Sequence, residues 1–488
     1  MRAGFAALVK PAAVVSAALL GLALAAVPAA ASPSASPPSA SPPSAPPRAA
    51  GHQAVTPVKH FIFLMQGGRT FDNYFGTYPG ADGLSAGACQ LRVTGKPADG
   101  CVKPFLLSGG HLPSLGANNT IIANQYNGGK MDGFVAAYQR QGRDGATAMG
   151  HYDGRKLAFY WKVASDYVLF DHFFSSNQYG IRNNRSYWVS AVPAPGATGR
   201  IPPGGYGDQL TIFDRLQAAG VSWKFYVQGY NRTQTYQSAS PANPETQTSR
   251  VPLVNFYRFT HDQALASHIV GLDQYYKDLQ AGTLPAVAYV ASASGYDERS
   301  ARSVSLGQGL VRTMVTQLML SRYWGSSAFM WSYDGPGGWY DGVRPPELGS
   351  AAAGFRVPAL LVSAYARQGQ VNHTVLDYTG ALKFLEQNWR LGPLADRDAR
   401  SNNLTSAFDF AAGPRPPVLL HAGEPPDLSP VTRPLSHHQV TELYLLYGGA
   451  AAVSVLLLAF AALSSARSAR RRRPAPASRA AATKEAGG

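Results

Sequence analysis

Two spacings of apolar residues alternate along the chain between about residue 55 and residue 412. Short apolar runs bounded by turn residues are interleaved with segments whose apolar positions recur every three or four residues. VKHFIFLM (58–65) predicts a strand, and KLAFYWKVA (156–164) a helix before the short strand YVLF (167–170). TIFDRLQAAG (211–220) has helical spacing and a glycine stop, and VSWKFYV (221–227) follows as a strand. LDQYYKDLQAG (272–282) predicts a helix, PAVAYVA (285–291) a strand, GQGLVRTMVTQLMLS (307–321) a long helix and SAFMWSYD (327–334) a strand. VPALLVSAYA (357–366) gives the last strand and TGALKFLEQNW (379–389) the last helix. This rhythm predicts an α/β fold with a largely parallel sheet covered on both faces. In such a sheet the loops after the strand C-termini carry the chemistry. Here they are 66–76, 170–187, 291–303 and 332–346.

The two ends follow other patterns. Residues 1–31 have a basic start (Arg2, Lys10), an apolar run and small residues before Ala31, which predicts a secretory signal peptide. Residues 32–54 are rich in Pro, Ser and Ala and predict an extended linker. The ectodomain spans 55–412, and a Pro- and His-containing stalk, with His437 and His438, spans 413–442. Residues 443–466 carry no charge and are long enough to predict one C-terminal transmembrane helix. The Arg-rich tail 467–488 marks the cytoplasmic side. The expected location is therefore the cell membrane, single-pass, with the ectodomain extracellular.

This placement changes the meaning of the +15 formal charge. The tail holds six Arg and one Lys against one Glu, so it supplies six of the fifteen, and Arg2 and Lys10 add two. The ectodomain is only mildly basic, which argues against a nucleic-acid partner and leaves the membrane as the expected one. Cys89 and Cys101, the two cysteines of the chain, both lie in the exported part and predict a disulfide closing a short loop.

Several loop sequences carry a resemblance. RTFDNYFGTYPGADG (69–83), NGGKMDGF (127–134), FYWKVASDYVLFDHFFSS (159–176), YDGPGGWYDGVRPP (333–346), FRVPALLVSAYA (355–366) and LTSAFDF (404–410) resemble, in order, the bacterial phosphoesterases that include secreted phospholipases C and a related acid phosphatase. The resemblance implies an alkaline-phosphatase-like α/β/α sandwich and hydrolysis through a metal cage and a hydroxyl nucleophile. The family's MQENRSFD is MQGGRTFD here, which puts Gly67 and Gly68 in the Glu-Asn slots. Its GPTxPNR becomes YGIRNNR, which places Ile181 in the nucleophile slot with Asn184 and Arg185 retained. Its SEHPP histidine aligns with Arg299. Its YDExGGFYDHVPPP keeps Asp334 but has Gly335 and Gly342 where an acid and a histidine belong. A further family histidine falls near Ala117, and the DHTS histidine is Tyr378.

Glycine cannot ligate a metal and isoleucine cannot attack phosphorus, so hydrolysis by the family route is not expected, nor is a metal cofactor. Asp297, Glu298, Asp334 and Asp341 suit either a different metal or acid–base site, or loop capping. Asp72 reads as a residue of a helix N-terminus, and His172 as a locally bonded loop residue. Ser175 and Ser176 lack a base in any nearby pattern. Arg69, Arg182, Arg185 and Arg299 gather around the emptied slots. They fit either a site for a phosphate-bearing lipid or anionic envelope polymer, or pairing with Asp297, Glu298 and Asp334 that holds loops together. The expected function is thus a membrane-anchored pseudoenzyme that binds an anionic ligand. The alternatives are a hydrolase with a rearranged site, which would use a divalent metal, and a rigid envelope block.

Overall fold

The computed structural model describes residues 51–107, 114–196, 200–238, 246–299, 302–349 and 351–419. The expected signal peptide, transmembrane helix, basic tail, His437 and His438 lie outside the described residues. Among the described residues no helix is long and apolar enough to cross a membrane.

Eight strands form the main sheet: β1 (His60–Gly68), β2 (Val168–Phe170), β3 (Trp223–Val227), β4 (Ile269–Gly271), β5 (Val287–Ala291), β6 (Ser327–Gly335), β7 (Ala359–Ser363) and β8 (Gln370–Asn372). Their order across the sheet is β8-β2-β7-β6-β1-β5-β3-β4. Only β7 runs antiparallel to its neighbours, β2 and β6. The sheet is therefore largely parallel, as the alternation of strands and helices predicts.

β1 and β6 occupy the centre, and every residue of β6 is buried, as is every residue of β1 after His60. Burial of successive residues on a strand means that both faces are covered, which explains why these segments read as continuous apolar runs. The strand-end loops hold the polar residues, because backbone beyond the ladder must find other partners.

Each strand and helix predicted between residues 55 and 412 is present. Two edge strands, β4 and β8, are three residues long, too short to show alternation. The predicted loop 170–187 is also partly helical, since a helix runs Ile181–Ser190. Gly180, at φ 84°, turns the chain into it. Asn184 and Arg185 are buried on this helix, so it lacks the polar outer face that marks a helix in sequence. Cys89 and Cys101 form the disulfide, which fastens the ribbon Gln90–Leu91 / Cys101–Val102.

Candidate functional site

The parallel register brings Gly68 opposite Gly335, so the ends of β1 and β6 open side by side. Asp334 lies in this gap with its carboxylate buried between two arginines. Arg299 donates through Nη2 to Oδ2 at 2.7 Å and through Nη1 to Oδ1 at 3.3 Å. Arg185 donates through Nε to Oδ2 at 3.0 Å, and its other nitrogens reach the Arg250 and Gln66 carbonyls, each at 3.0 Å. Arg299 also holds Asp297 at 2.9 Å.

The glycine at the end of β1 has a steric reason. A Cβ on Gly67 would stand 2.5 Å from Cγ of Arg299 and 2.5 Å from the Asp297 carbonyl oxygen. On Gly68 it would stand 2.7 Å from Cα of Gly337. Gly67 and Arg299 therefore belong together: the arginine lies across the space that a side chain at position 67 would need.

These donors do not suit the family's metal. Both Asp334 oxygens accept from guanidinium groups, which carry positive charge and cannot ligate. Asn184 donates through Nδ2 to the Asp334 carbonyl at 3.0 Å, and its Oδ1 accepts from the Asn177 N–H at 2.8 Å. Ile181 offers no donor atom. The site as built holds a cation already, in the form of arginine.

Arg69 is fully buried beneath Trp339, 4.9 Å from the ring centre, and fastens the next loop. It donates to the Glu298 carbonyl at 2.6 Å, the Arg299 carbonyl at 3.2 Å and Asn73 Oδ1 at 3.2 Å. Arg182 lies near Tyr206, whose hydroxyl burial pushes up to about 12 although the arginine opposes the shift.

Arg250, which no sequence motif flagged, joins the cluster. Its Nη1 donates to the Ser292 carbonyl, while its Nε and the Ser292 hydroxyl are buried without a partner. Burial, together with Arg185 and Arg299, lowers its pKa to about 10, although Asp297 opposes this.

A second cluster, built from the segments after β1 and β6 and before β7, has the opposite balance. Arg356 is the arginine shared by Asp72 and Asp341: Nη2 to Asp72 Oδ1 is 3.1 Å and Nε to Asp341 Oδ1 is 2.8 Å. Burial first, and Asp341 second, raise Asp72 to about 7. Asp72 does sit in the first turn of a short helix, Phe71–Phe75, and it also accepts from the Gly342 N–H at 2.8 Å. Glu298 is buried under the hydroxyls of Tyr74 (2.5 Å), Tyr160 (2.5 Å) and Tyr333 (2.8 Å). Burial raises it to about 7 against the pull of those hydroxyls.

The remaining candidates serve packing. Ser175 Oγ donates to the Phe355 carbonyl at 3.2 Å, and Ser176 Oγ accepts from the Tyr378 N–H at 3.3 Å. The Tyr378 hydroxyl donates to the Tyr333 carbonyl, and Ala117 packs at the edge of the core. His172 does bond locally, to Asp171, but His373 reaches the same carboxylate from another strand. Sequence separation hid that meeting, as it hid Arg250 and Arg356.

A mostly parallel sheet with polar loops gathered past the ends of its central strands defines an α/β fold. A model described as Phosphoesterase family matches residues 58–392, and the chain belongs to that family. It is 26% identical over 421 residues to hemolytic phospholipase C of Pseudomonas aeruginosa, covering 73% of this chain and 56% of that protein. It is 27% identical over 436 residues to phospholipase C B of Mycobacterium tuberculosis, covering 75% of this chain and 80% of that one. The chain thus spans little more than half of the first relative's length. Among solved structures, the phosphonate monoester hydrolase of Agrobacterium radiobacter aligns at TM-score 0.36 and 8% identity, over 72% of this chain and 77% of that one.

Proposed function

We propose that this chain is a membrane-anchored, extracytoplasmic phosphoesterase-family protein whose family pocket binds a phosphate-bearing or anionic envelope group without hydrolysing it. One observation carries the reading: Arg299 places its guanidinium on Asp334, where the family pattern calls for metal ligands. Three arginines, Arg185, Arg250 and Arg299, face two carboxylates, Asp297 and Asp334, so the cluster is cation-rich. Guanidinium groups bind phosphate oxygens through paired, charge-assisted hydrogen bonds and do not activate water. The unpartnered Arg250 Nε and Ser292 hydroxyl are donors that an anion would satisfy. The apolar segment 443–466 followed by the arginine cluster supports the anchored placement, with anionic lipid as a neighbour.

The test uses the full chain in mild detergent. Hydrolysis of an aryl phosphate is measured with magnesium, manganese, calcium or zinc added, and inorganic phosphate binding is measured at low and high salt. The expected result is no turnover above background, with phosphate binding that weakens as salt rises and drops in Arg250→Ser. Metal-dependent turnover abolished by Asp334→Ala would establish the hydrolase reading instead. Absence of phosphate binding, or equal binding by Arg250→Ser, would reduce the pocket to scaffolding.

A further inference from the structure

The edge strand β8 and its parallel neighbour β2 deliver a second set of chemical groups. Asp171 and His172 follow the end of β2, and His373 follows the end of β8, where Phe170 pairs with Asn372. The loops are locked together by backbone bonds: the Asp171 N–H to the Asn372 carbonyl at 3.3 Å and the Leu376 N–H to the His172 carbonyl at 3.0 Å. The Asp171 carboxylate has no solvent exposure. The His172 Nδ1 stands 3.0 Å from its Oδ1, and the His373 Nδ1 stands 2.8 Å from its Oδ2. One ligand atom from each of the three residues lies within 4.8 Å of the others.

We infer that Asp171, His172 and His373 form a binding site for one divalent transition-metal ion, zinc by ligand type, outside the family pocket. Two imidazoles and a carboxylate are a borderline-soft donor set that suits zinc and leaves a fourth position for water. Ligands of a tetrahedral zinc ion lie about 3.4 Å apart, given bonds of roughly 2.1 Å. The observed 2.8 and 3.0 Å spacings, one to each oxygen of Asp171, would widen by about 0.4–0.6 Å on taking an ion. The imidazole of His373 is 62% exposed, so the ion has a route in.

A supporting carboxylate is also in place. The His172 Nε2 faces Asp82 Oδ2 at 3.4 Å, and the Asp82 N–H donates to Asp171 Oδ2 at 2.9 Å. With an ion bound, a proton on Nε2 facing Asp82 would leave the Nδ1 lone pair to ligate, in place of the present Nδ1–Asp171 hydrogen bond. Arg356 ties Asp82 and Asp171 together through their carbonyls, so the site is built on a rigid corner. β2 and β8 lie two and three strands from β6, roughly 10–14 Å along the sheet from the Asp334 cluster. The ion would clip the two edge loops together and, by binding the folded state alone, stabilise it.

The tag-free full chain, stripped with a chelator, is titrated with zinc against a chromophoric competitor. One equivalent should bind to the parent and to Asp334→Ala. His373→Ala and His172→Ala should each weaken binding roughly tenfold or more. His373 is mostly exposed, so its variant should keep the parent's far-ultraviolet circular dichroism. Failure of the parent to bind one equivalent would overturn the site. So would unchanged affinity in His373→Ala, or loss of binding in Asp334→Ala, which would return the metal to the family pocket.

Discussion

Two buried charge clusters stand past the ends of the central strands, and they err in opposite directions. Past β6, Arg185, Arg250 and Arg299 outnumber Asp297 and Asp334, and the strained member is an arginine, Arg250, lowered to about 10 by burial and by its like-charged neighbours. Beside the Phe71–Phe75 helix, Asp72 and Asp341 share Arg356, and the strained member is a carboxyl, Asp72, raised to about 7. Both clusters are largely buried, so most of their surplus charge is not left to the solvent. The first carries surplus positive charge, and in the second burial and Asp341 raise Asp72 to about 7. The sign of the excess, more than the number of ion pairs, sets what each cluster can do.

The largest effect should come from removing the cation of the acid-rich cluster. Arg356→Leu leaves Asp72 and Asp341 facing each other in the core and strips hydrogen bonds from the Asp82 and Asp171 carbonyls. Breaking a buried pair by removing one partner costs about 3–5 kcal/mol. Denaturant unfolding at pH 7.5 checks this, and a loss under about 1 kcal/mol would mean that the two carboxyls adapt without a cation.

Acidity should sharpen the contrast next. The folded-state values of Asp72 and Glu298 are raised to about 7, above their unfolded values near 4. The folded chain therefore holds protons that the unfolded chain has released in that window. Stability is greatest toward the acid end and is lost as pH rises toward 7, by at most about 1.4 kcal/mol per pH unit for each group. Burial lowers His60 and His151, whose contribution runs the other way below 6.5. The net expectation is a higher denaturation midpoint at pH 5.5 than at pH 7.5, with a flatter profile in Asp72→Asn. A midpoint that falls on acidification in the parent would show that the proton does not reside in this cluster.

These expectations also show what a sequence can disclose. The sheet was legible because β1 and β6 are covered on both faces and must be apolar throughout. Gly67, Gly68 and Ile181 were readable as departures from the family pattern because they stand inside ordered motifs. The use of the arginines was not. Arg69 looks like a ligand group in RTFD, yet its donors go to the 298–299 backbone, and only tertiary packing decides that. Arg250 and His373 meet their partners across long stretches of chain, and no local pattern encodes such a meeting.

The cation-rich cluster should be less sensitive, and the pairing of Gly67 with Arg299 gives the next test. Gly67→Ala sets a Cβ against both Arg299 and the Asp297 carbonyl, an overpacking that costs about 1–3 kcal/mol. Arg299→Ser removes the side-chain half of that clash and leaves the backbone half. The double variant should therefore lose less than the sum of the singles, with a coupling of about 0.5–3 kcal/mol. Additive losses would mean that the arginine moves aside freely and that glycine at position 67 answers to the Asp297 backbone alone.

The smallest effect expected is that of Arg299→Ser by itself. Asp334 keeps Arg185, whose Nε and Nη2 lie 3.0 and 2.9 Å from Oδ2, so its charge stays compensated in the core. The Arg299 side chain is 18% exposed, and water can enter where it leaves and solvate Asp297. Removing one of three arginines also relieves Arg250, which the like charge of Arg299 disfavours. These terms oppose the lost hydrogen bonds, and the net cost should stay near 1 kcal/mol, a fraction of that for Arg356→Leu. If the two variants instead destabilise the chain equally, Arg299 is a structural plug on which folding depends. The cluster would then have no spare positive charge to offer an anion, and the contrast between the two clusters would fail.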